Sequence, residues 1–543
     1  MQSTMMDVPL TVAMILRQGS VVHGESRVLT WTGDGARSAT YAELGERTAR
    51  LAGALRALGI TGDQRVGTFC WNDQEHLEAY FAVPAMGAVL HPINIRLFPE
   101  QMAYVTNHAE DEVVIVDSTL AAPFGKLLPH LKTVRHVLVV GDADLATVQA
   151  DGVEVHRYDD LLAAAEPVFK WPDVDERQAA SMCYTSGTTG RPKGVVYSHR
   201  STFLHASAIC RGDALGLDPL DRVLPVVPMF HANAWGLAHA AVLIGADLLM
   251  PERFLQGEPL AAMIQAERPT VAGAVPTIWN DLLQYARGHD VDLSSLRMVP
   301  CGGSAVPRSL MEGFDHEFGI PIRHAWGMTE TSPVASVAIP PREAEGEERW
   351  RYRLTQGRLL PEVEYRLTGD EGVAMPSDGE SVGELEVRGP WVTARYHKED
   401  DEAKFHDGWL RTGDVGTIDP RGYFTITDRS KDVIKSGGEW ISSVDLENAL
   451  MAHPDVVEAA VVGIPDEKWQ ERPLATIVLR EGADTDPVDL RASIEERFAR
   501  WQLPDNFAFI DAVPKTSVGK FDKKVLRQRY AEGDLDVQTV PHD

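Results

Sequence analysis

Apolar positions recur with two different periods along the first part of the chain. Between Tyr41 and Leu58 they return every three or four residues, which predicts an amphipathic helix that ends at Gly59. Short β-rich runs alternate with such helical segments, and this alternation predicts an α/β fold of parallel strands covered by helices. We predict helices at 41–58, 74–86 and 99–107 and strands at 65–69, 88–92, 113–117 and 137–140.

The pattern changes in the second half of the chain. From 354 to 389 short strands alternate with Gly and Asp turns, which predicts a β subdomain. After Asp432 a smaller α/β unit follows, with predicted helices at 444–451 and 488–500. Three further segments are expected to form a buried helix at 235–245, an exposed charged loop at 342–353 and a disordered polar tail at 532–543.

Composition narrows the classes of ligand. The 543 residues include 80 acidic and 52 basic side chains, and the net charge of −28 argues against binding of nucleic acid or anionic lipid. We expect no transmembrane segment, since no apolar run approaches the ~18 residues that a membrane helix needs. Widely spaced cysteines and the lack of a signal peptide predict reduced thiols in a cytoplasmic protein: Cys70, Cys183, Cys210 and Cys301.

A segment rich in glycine and hydroxyl groups follows the apolar run 179–184. Its glycines let main-chain N–H groups approach a ligand, and its hydroxyls and cations suit a polyphosphate. It is not a Walker A loop, because no Gly-Lys-Ser/Thr occurs, and the alternative is a Gly-rich surface turn. The candidate phosphate-binding residues are Thr185, Ser186, Gly187, Thr188, Thr189, Gly190, Arg191 and Lys193.

Three later motifs supply complementary chemistry. Glu330, four residues after Trp326, is a hard oxygen ligand suited to Mg²⁺, although a Thr-x-Glu sequence also caps helices. Asp414 follows a glycine and can accept hydrogen bonds from both hydroxyls of a ribose, unless the pair is an ordinary Gly-Asp turn. Lys520 can offer a compact charge to a carboxylate and a phosphate, and its alternative is a solvated surface lysine.

These motifs resemble the adenylate-forming superfamily, which includes acyl-CoA synthetases, adenylation domains and luciferases. The resemblance covers about residues 25–530. It implies a large N-terminal domain of α/β sheet layers with a β subdomain (1–427), a hinge (428–433) and a small mobile C-terminal α+β domain (434–543). It also implies ATP, Mg²⁺ and coenzyme A as ligands. The catalytic residues that it implies are Thr185, His231, Glu330 and Lys520, with Thr185 and Glu330 at the metal.

The same resemblance extends the set of ligand contacts. His231 is expected to position the substrate carboxylate, which needs no deprotonation at neutral pH, and the alternative is a satisfied core histidine. Trp326 stands where most relatives have Tyr, so adenine stacking is retained and a hydroxyl contact is lost. The remaining nucleotide contacts that the resemblance implies are Gly303, Ser304, His324, Ala325, Gly327, Thr329, Arg429, Lys431, Lys435 and Trp440. It also implies a CoA channel at Gly437, Gly438 and Glu439, and the alternative for these residues is a flexible turn.

The match is closest to bacterial long-chain fatty acyl-CoA synthetases, some of which are homodimers. In that group the tryptophan matching Trp235 gates a fatty-acid tunnel, and Gly236 and Gly273 leave room beside it. The implied reaction converts a fatty acid and ATP to acyl-AMP and pyrophosphate, after which the CoA thiol gives acyl-CoA and AMP. Three alternatives stay open: an aryl- or medium-chain-CoA ligase, an acyl-AMP ligase that loads a carrier protein, and a catalytically silent acyl- or nucleotide-binding protein.

Overall fold

The computed structural model describes residues 1–185, 191–369, 372–429, 432–436, 439–466, 468–516 and 520–540, with only the backbone of Arg429, Glu439 and Trp440. The remaining residues include eight of the predicted site residues, which therefore lie outside the described part of the chain. They are Ser186, Gly187, Thr188, Thr189, Gly190, Lys431, Gly437 and Gly438.

The described residues contain fifteen α-helices and twenty-eight strands. The helices are α1 Val12–Arg17, α2 Tyr41–Ala57, α3 Gln74–Ala85, α4 Pro99–Ala109, α5 Ala121–Leu127, α6 Tyr158–Ala164, α7 His199–Ile209, α8 Leu237–Ile244, α9 Gly257–Glu267, α10 Pro276–Gly288, α11 Arg308–Gly313, α12 Gly346–Leu354, α13 Ser443–Leu450, α14 Pro487–Ile494 and α15 Lys523–Glu532. The strands are β1 Arg27–Trp31, β2 Ala36–Thr40, β3 Arg65–Phe69, β4 Val89–Pro92, β5 Asp111–Asp117, β6 His136–Val140, β7 Glu154–Arg157, β8 Ala179–Tyr184, β9 Gly194–Ser198, β10 Arg222–Pro225, β11 Asp247–Met250, β12 Val271–Gly273, β13 Val299–Gly302, β14 Ile322–Gly327, β15 Val334–Val337, β16 Gly357–Leu359, β17 Glu364–Thr368, β18 Ala374–Met375, β19 Gly383–Arg388, β20 Phe405–His406, β21 Trp409–Ile418, β22 Tyr423–Arg429, β23 Ile434–Ser436, β24 Glu439–Ile441, β25 Val456–Asp466, β26 Gln470–Leu479, β27 Asn506–Phe509 and β28 Val537–Thr539.

A seven-stranded sheet forms the first layer of the large domain, in the order β7-β6-β5-β3-β4-β8-β9. All neighbouring pairs are parallel except β8 and β9, which form an antiparallel hairpin. Residues 113–117 of β5 are buried on both faces, as expected for a parallel strand covered by helices. Helix α2 begins with a capping box in which Thr40 and Glu43 satisfy each other's backbone N–H groups. The predicted elements before residue 141 are confirmed, with ends that differ by at most two residues.

Two further sheets complete the large domain. One has the order β12-β10-β11-β1-β2. The other is a ten-stranded sheet that runs from β13 through β14, β15, β16, β22, β21 and β19 to β17 and β18, with β20 beside β21. Its antiparallel part contains the predicted β subdomain, which is confirmed. Parallel and antiparallel strands meet at β14, which pairs with β13 on one side and β15 on the other.

The smaller C-terminal domain is built on a six-stranded sheet, β24-β23-β26-β27-β28 with β25 beside β26. It is fastened to the large domain where α13 meets β22. The backbone N–H of Ser443 donates to Oδ2 of Asp428 at 2.8 Å. Within the small domain, Nζ of Lys523 lies 2.8 Å from the carboxylate of Glu447. Mixed α/β layers with a smaller C-terminal domain therefore agree with the predicted fold class. In the described part of the chain, every helix is too short or too polar to cross a lipid bilayer.

Long-range contacts overturn several local predictions. Segment 342–353 is largely exposed, as predicted, but it is not a loop, because α12 forms there and buries Arg353 between the Asp315 carboxylate and the ring of Trp350. The tail is not disordered through 540, since β28 pairs with β27 and Val540 is buried. Two predicted helices are shorter than expected: α8 begins only at 237, and α14 ends at 494.

Candidate functional site

The candidate site lies where several strands of the large domain end. Thr185 follows β8, Gly303 follows β13, and Gly327 is the last residue of β14. Carboxyl ends of strands at such sheet junctions are common ligand-binding positions in α/β folds. Side-chain contacts connect these ends, as described below, and they extend to Asp414 on β21.

Thr185, at the start of the candidate phosphate loop, pairs with Lys193 beyond its end. Its backbone N–H donates to the carbonyl of Lys193 at 2.9 Å, and the Lys193 N–H donates to Oγ1 of Thr185 at 3.0 Å. These bonds extend the β8–β9 ladder beyond Tyr184 and hold Thr185 next to Lys193. At the end of the loop, the guanidinium of Arg191 lies 5.3 Å from the ring centre of Tyr104.

Lys193 is held by carboxylates from a distant segment. Its Nζ lies 2.8 Å from Oε1 of Glu399 and 2.8 Å from Oδ2 of Asp401, and 4.8 Å from the centre of the Tyr396 ring. Burial lowers the pKa of Lys193, but the hydrogen bonds to Asp401 and Glu399 outweigh this effect and the net pKa lies above its ordinary value. The charge of this lysine is therefore largely compensated inside the protein.

Glu330 is buried beside the same segment. The Tyr396 hydroxyl donates to its Oε1 at 2.6 Å, and the backbone N–H of Thr393 donates to its carbonyl at 2.8 Å. Tyr197 fixes the preceding residue, Thr329, by donating to its carbonyl at 2.7 Å. The hydrogen bond from Tyr396 engages one carboxylate oxygen and thereby fixes the orientation of the whole group. A buried, oriented carboxylate of this kind fits Mg²⁺, which takes one or two protein oxygens.

Trp326 and Asp414 are joined by a direct hydrogen bond. The indole Nε1–H donates to Oδ2 of Asp414 at 2.8 Å, and both side chains are buried. The backbone N–H of Asp414 donates to Oγ1 of Thr412 at 3.0 Å, which fixes the aspartate on β21. Trp326 therefore makes a polar contact of its own in this region. Trp326 lies only four residues before Glu330, and Tyr396 contacts both Glu330 and Lys193. The residues Thr185, Glu330 and Asp414 therefore border one region.

Lys520 reaches this region from the C-terminal domain. A Cβ built on Gly303 would lie 3.6 Å from Cε of Lys520, so the lysine stem passes directly over the β13 turn. Gly303 has φ +86°, a conformation that favours glycine, and this opens the turn to a close approach. The Lys520 backbone is held by Thr516, whose N–H donates to the Lys520 carbonyl at 2.7 Å.

His231 lies beside Lys520 and is neutral at physiological pH. Burial is the main cause that lowers the pKa of His231 to about 3, and the nearby cations of Lys520 and Arg96 lower it further. Arg96 also lies 5.9 Å from the ring centre of Phe230. A neutral imidazole can donate one hydrogen bond and accept another, so it can orient a carboxylate without neutralising it.

Trp235 sits on a left-handed turn. Residues 232–236 all have positive φ, although only the last is glycine, and this conformation costs about 1–2 kcal/mol for each non-glycine residue. Buried hydrogen bonds hold the turn: Oδ1 of Asn233 accepts from the Tyr80 hydroxyl at 3.2 Å, and its Nδ2 donates to Oγ of Ser181 at 3.2 Å. The left-handed geometry explains why the helix predicted from 235 begins only after this turn.

The Trp235 ring packs against two glycines. A Cβ on Gly273 would lie 3.9 Å from its Cε3, and a Cβ on Gly302 would lie 3.8 Å from its Cη2. Gly236, with φ +75°, allows the chain to leave the turn into α8. The structure therefore brings Trp235, Gly236 and Gly273 together, and it places them a few residues from His231.

Other predicted residues occupy more varied positions. His324 and Ala325 are buried within β14, and burial lowers the pKa of His324 to about 4. Ser304 is exposed next to Gly303, and Lys435 is exposed on β23, where its backbone N–H donates to Oε2 of Glu471 at 2.8 Å. The backbone of Arg429 pairs with Asp414 across β21 and β22, while Trp440 and Glu439 lie on β24.

Sequence reasoning missed Tyr396, Glu399, Asp401 and Arg96. Tyr396, Glu399 and Asp401 lie about two hundred residues after Lys193, and no local spacing marks them as its partners. Arg96 did carry a signal, because it comes four residues after β4 ends, and β4 is the parallel neighbour of β8. Residues that follow the carboxyl ends of adjacent parallel strands lie at the same edge of a sheet.

Two family models match most of the chain. The model of the family "AMP-binding enzyme" matches residues 16–397, and that of the "AMP-binding enzyme C-terminal domain" matches 445–520. The chain is 42% identical over 537 residues to 3-methylmercaptopropionyl-CoA ligase of Ruegeria pomeroyi, with 98% of this chain and 99% of the relative covered. It is 44% identical over 541 residues to long-chain-fatty-acid–CoA ligase of Thermus thermophilus, with 97% of each covered. A crystal structure of an anthranilate CoA ligase in complex with anthranoyl-AMP shares the fold, with a TM-score of 0.87, 24% identity and coverage of 97% and 99%.

Proposed function

This chain belongs to the AMP-binding enzyme family, and we propose that the acid it activates is a medium- to long-chain fatty acid. It is an AMP-forming acyl-CoA ligase, with ATP and CoA as co-substrates and the Mg²⁺ typical of the family. The observation that carries the proposal is the position of Lys520, which lies over Gly303 and beside His231, four residues from Trp235. A carboxylate between His231 and Lys520 would direct its alkyl chain toward Trp235 and the apolar surface around it.

In the first half-reaction the protein forms no covalent bond to the substrates. A carboxylate oxygen attacks the α-phosphorus of ATP, the bond to the β-phosphate oxygen breaks, and pyrophosphate leaves. Lys520 offers its ammonium group to the carboxylate and the α-phosphate, where negative charge increases in the transition state. Neutral His231 orients the carboxylate, and Asp414 accepts from the ribose hydroxyls while Trp326 stacks on the adenine.

Glu330 and Thr185 are the residues that would hold Mg²⁺. Glu330 contributes a carboxylate oriented by Tyr396, and Thr185 contributes a hydroxyl at the base of the phosphate loop. A bound Mg²⁺ supplies charge neutralisation for the phosphates and the leaving pyrophosphate. Ser186, Gly187, Thr188, Thr189 and Gly190 complete the proposed phosphate loop.

The second half-reaction requires a different face of the small domain. We propose that residues 428–433, including Lys431, act as a hinge between the domains 1–427 and 434–543. Rotation there withdraws Lys520 and brings Gly437, Gly438 and Glu439 to the acyl-AMP as a channel for CoA. Arg429, Lys435 and Trp440 are then in position to contact the nucleotide. The thiol loses its proton to solvent, its sulfur attacks the acyl carbon, and the bond between the acyl carbon and the phosphate oxygen of AMP breaks.

Chain length is decided by Trp235 in this proposal. With its ring packed on Gly273 and Gly302, the region next to the carboxylate accommodates a short acid, and a longer chain requires the ring to move. The fatty-acid reading is supported by the 44% identity to a long-chain ligase. A short thioether acid is the second candidate, supported by the 42% identity to 3-methylmercaptopropionyl-CoA ligase.

One experiment separates these two candidates. Pyrophosphate release with CoA present gives kcat/KM for straight-chain acids from four to sixteen carbons and for 3-methylmercaptopropionate. We expect a maximum among the acids with eight or more carbons, and the variant Trp235→Ala should shift it toward longer chains. A maximum at 3-methylmercaptopropionate would reject the fatty-acid proposal in favour of the second candidate. Adenylation without thioester formation on CoA would indicate transfer to a carrier protein.

The assembly and compartment are also proposals. The resemblance to bacterial fatty acyl-CoA synthetases is the support for a homodimer, which sedimentation velocity of the purified protein tests directly. The four cysteines are free thiols, three of them buried and Cys210 half-buried, and this supports a reducing, cytoplasmic environment.

A further inference from the structure

Three side chains that commonly bind transition metals meet at one edge of the seven-stranded sheet. They are His136, the first residue of β6, and Glu154 and His156 on the neighbouring edge strand β7. The parallel register pairs His136 with Glu154. Because alternate residues of a strand point to the same face, His156 emerges beside Glu154 on the face that carries His136.

The three ligand atoms form a nearly equilateral triangle. Nδ1 of His136 and Nε2 of His156 are 3.4 Å apart, and Oε2 of Glu154 lies 3.6 Å from the former and 3.7 Å from the latter. These separations are longer than good hydrogen bonds, which span ~2.7–3.2 Å. They match the ~3.4 Å between ligands of a tetrahedral ion with bonds of ~2.0–2.1 Å. An ion could therefore bind with little movement of the side chains.

We propose that His136, Glu154 and His156 bind a divalent transition-metal ion of the Zn²⁺ class. Two imidazoles and one carboxylate suit Zn²⁺, Co²⁺ or Ni²⁺, whereas Mg²⁺ and Ca²⁺ prefer ligand sets made entirely of oxygen. The histidine side chains are only 17% and 24% exposed, while that of Glu154 is 71% exposed, so the fourth position faces solvent and takes water.

This site is separate from the nucleotide-binding region and has a structural role. In the sheet order, β7 lies at one edge and the β8–β9 hairpin at the other. In the described part of the chain β7 pairs only with β6, and an ion bound across the two strands would fasten this edge strand to the sheet.

The test uses the untagged full-length protein, stripped of metal and titrated with Zn²⁺ at pH 7.5 without nucleotide. We expect one Zn²⁺ per chain in calorimetry, and visible absorption of a tetrahedral site when Co²⁺ replaces it. His136→Ala and His156→Ala should each weaken binding about tenfold or more, whereas the matched control His130→Ala, an exposed histidine before β6, should bind as the wild type does. Zn²⁺ should also slow hydrogen exchange of the β7 amides in the wild type only.

Ligase activity with Mg·ATP provides the control for folding, because none of these residues belongs to the proposed catalytic site. Activity equal to that of the wild type shows that a variant is folded. The proposal is wrong if the wild type takes up no Zn²⁺, if a His136→Ala/His156→Ala double variant binds Zn²⁺ as tightly as the wild type, or if millimolar Mg²⁺ displaces the ion.

Discussion

Lys193 and Lys520 border the same region, and they are held in contrasting ways. Lys193 belongs to the large domain, and two carboxylates at 2.8 Å compensate its charge above the Tyr396 ring. Lys520 comes from the C-terminal domain and lies over Gly303 next to neutral His231. Proximity to the phosphate loop therefore does not by itself identify the catalytic cation. We assign the adenylation chemistry to Lys520 of the C-terminal domain and a positioning role to Lys193.

The largest effect is expected from Lys520→Ala. Loss of its charge from the transition state should lower pyrophosphate release by about 10²–10³-fold. Thioester formation from presynthesised acyl-AMP should change less than about threefold, because Lys520 acts only in the first half-reaction. Lys515→Ala is the matched control, since Lys515 lies on the same loop but pairs with Glu458 at 2.6 Å. Unchanged pyrophosphate release in Lys520→Ala would contradict the assignment of this lysine.

The second-largest effect is expected from Tyr396→Phe, in the segment whose carboxylates compensate the charge of Lys193. Tyr396→Phe removes the hydroxyl that orients Glu330, and groups that orient metal ligands typically contribute 10- to 100-fold to metal affinity. We expect the Mg²⁺ concentration for half-maximal adenylation to rise about tenfold, with little change in KM for the acid. Tyr104→Phe, whose ring contacts Arg191, serves as the control. An unaltered Mg²⁺ dependence would indicate that Glu330 does not hold the metal.

The third prediction concerns the pH dependence of kcat/KM and the role of His231, which lies beside Lys520. A histidine with a pKa of about 3 stays neutral from pH 5.5 to 8.5, so His231 should add no inflection to the profile of kcat/KM. His231→Ala should lower kcat/KM about fivefold and leave the shape of the profile unchanged. In Lys520→Ala the pKa of His231 should rise, because a nearby cation is removed, and this rise is measurable by NMR. A profile inflection near pH 6.5 that disappears in His231→Ala would reject neutral positioning.

The same low pKa has a consequence for folding. His231 has its ordinary pKa of ~6.5 when the chain is unfolded, so the unfolded state binds a proton at a higher pH than the folded state. Its contribution to stability is therefore complete above pH 6.5 and is lost as the pH falls toward 3. The urea midpoint of the wild type should fall more steeply between pH 6 and 4 than that of His231→Gln.

The smallest effect is expected from Lys193→Met. Half-exposed ion pairs contribute about 0–1 kcal/mol, so adenylation should fall less than about fivefold. Lys398→Met is the control, because Lys398 also pairs with a carboxylate, that of Glu110 at 2.7 Å, away from Glu330. A loss as large as that in Lys520→Ala would remove the distinction between the two lysines.

Sequence alone established the family and the order of the motifs. The resemblance to adenylate-forming enzymes and the predicted fold class are confirmed, because both depend on local patterns such as the strand-to-loop transition at Thr185. The helices and strands before residue 141 could also be predicted from the sequence, since their apolar periodicity is a property of adjacent residues. The acid substrate could not be predicted from the sequence, because relatives of similar identity are named for different acids.

Only the tertiary structure revealed which groups meet. The charge of Lys193 is compensated by residues about two hundred positions away, Trp326 bonds to Asp414, and α12 forms where charge density predicted a loop. The left-handed turn before α8 is another example, because its strained conformation is maintained by Asn233 and its buried partners. Local sequence encodes the preference of each segment, whereas long-range hydrogen bonds and burial contribute enough free energy to override it.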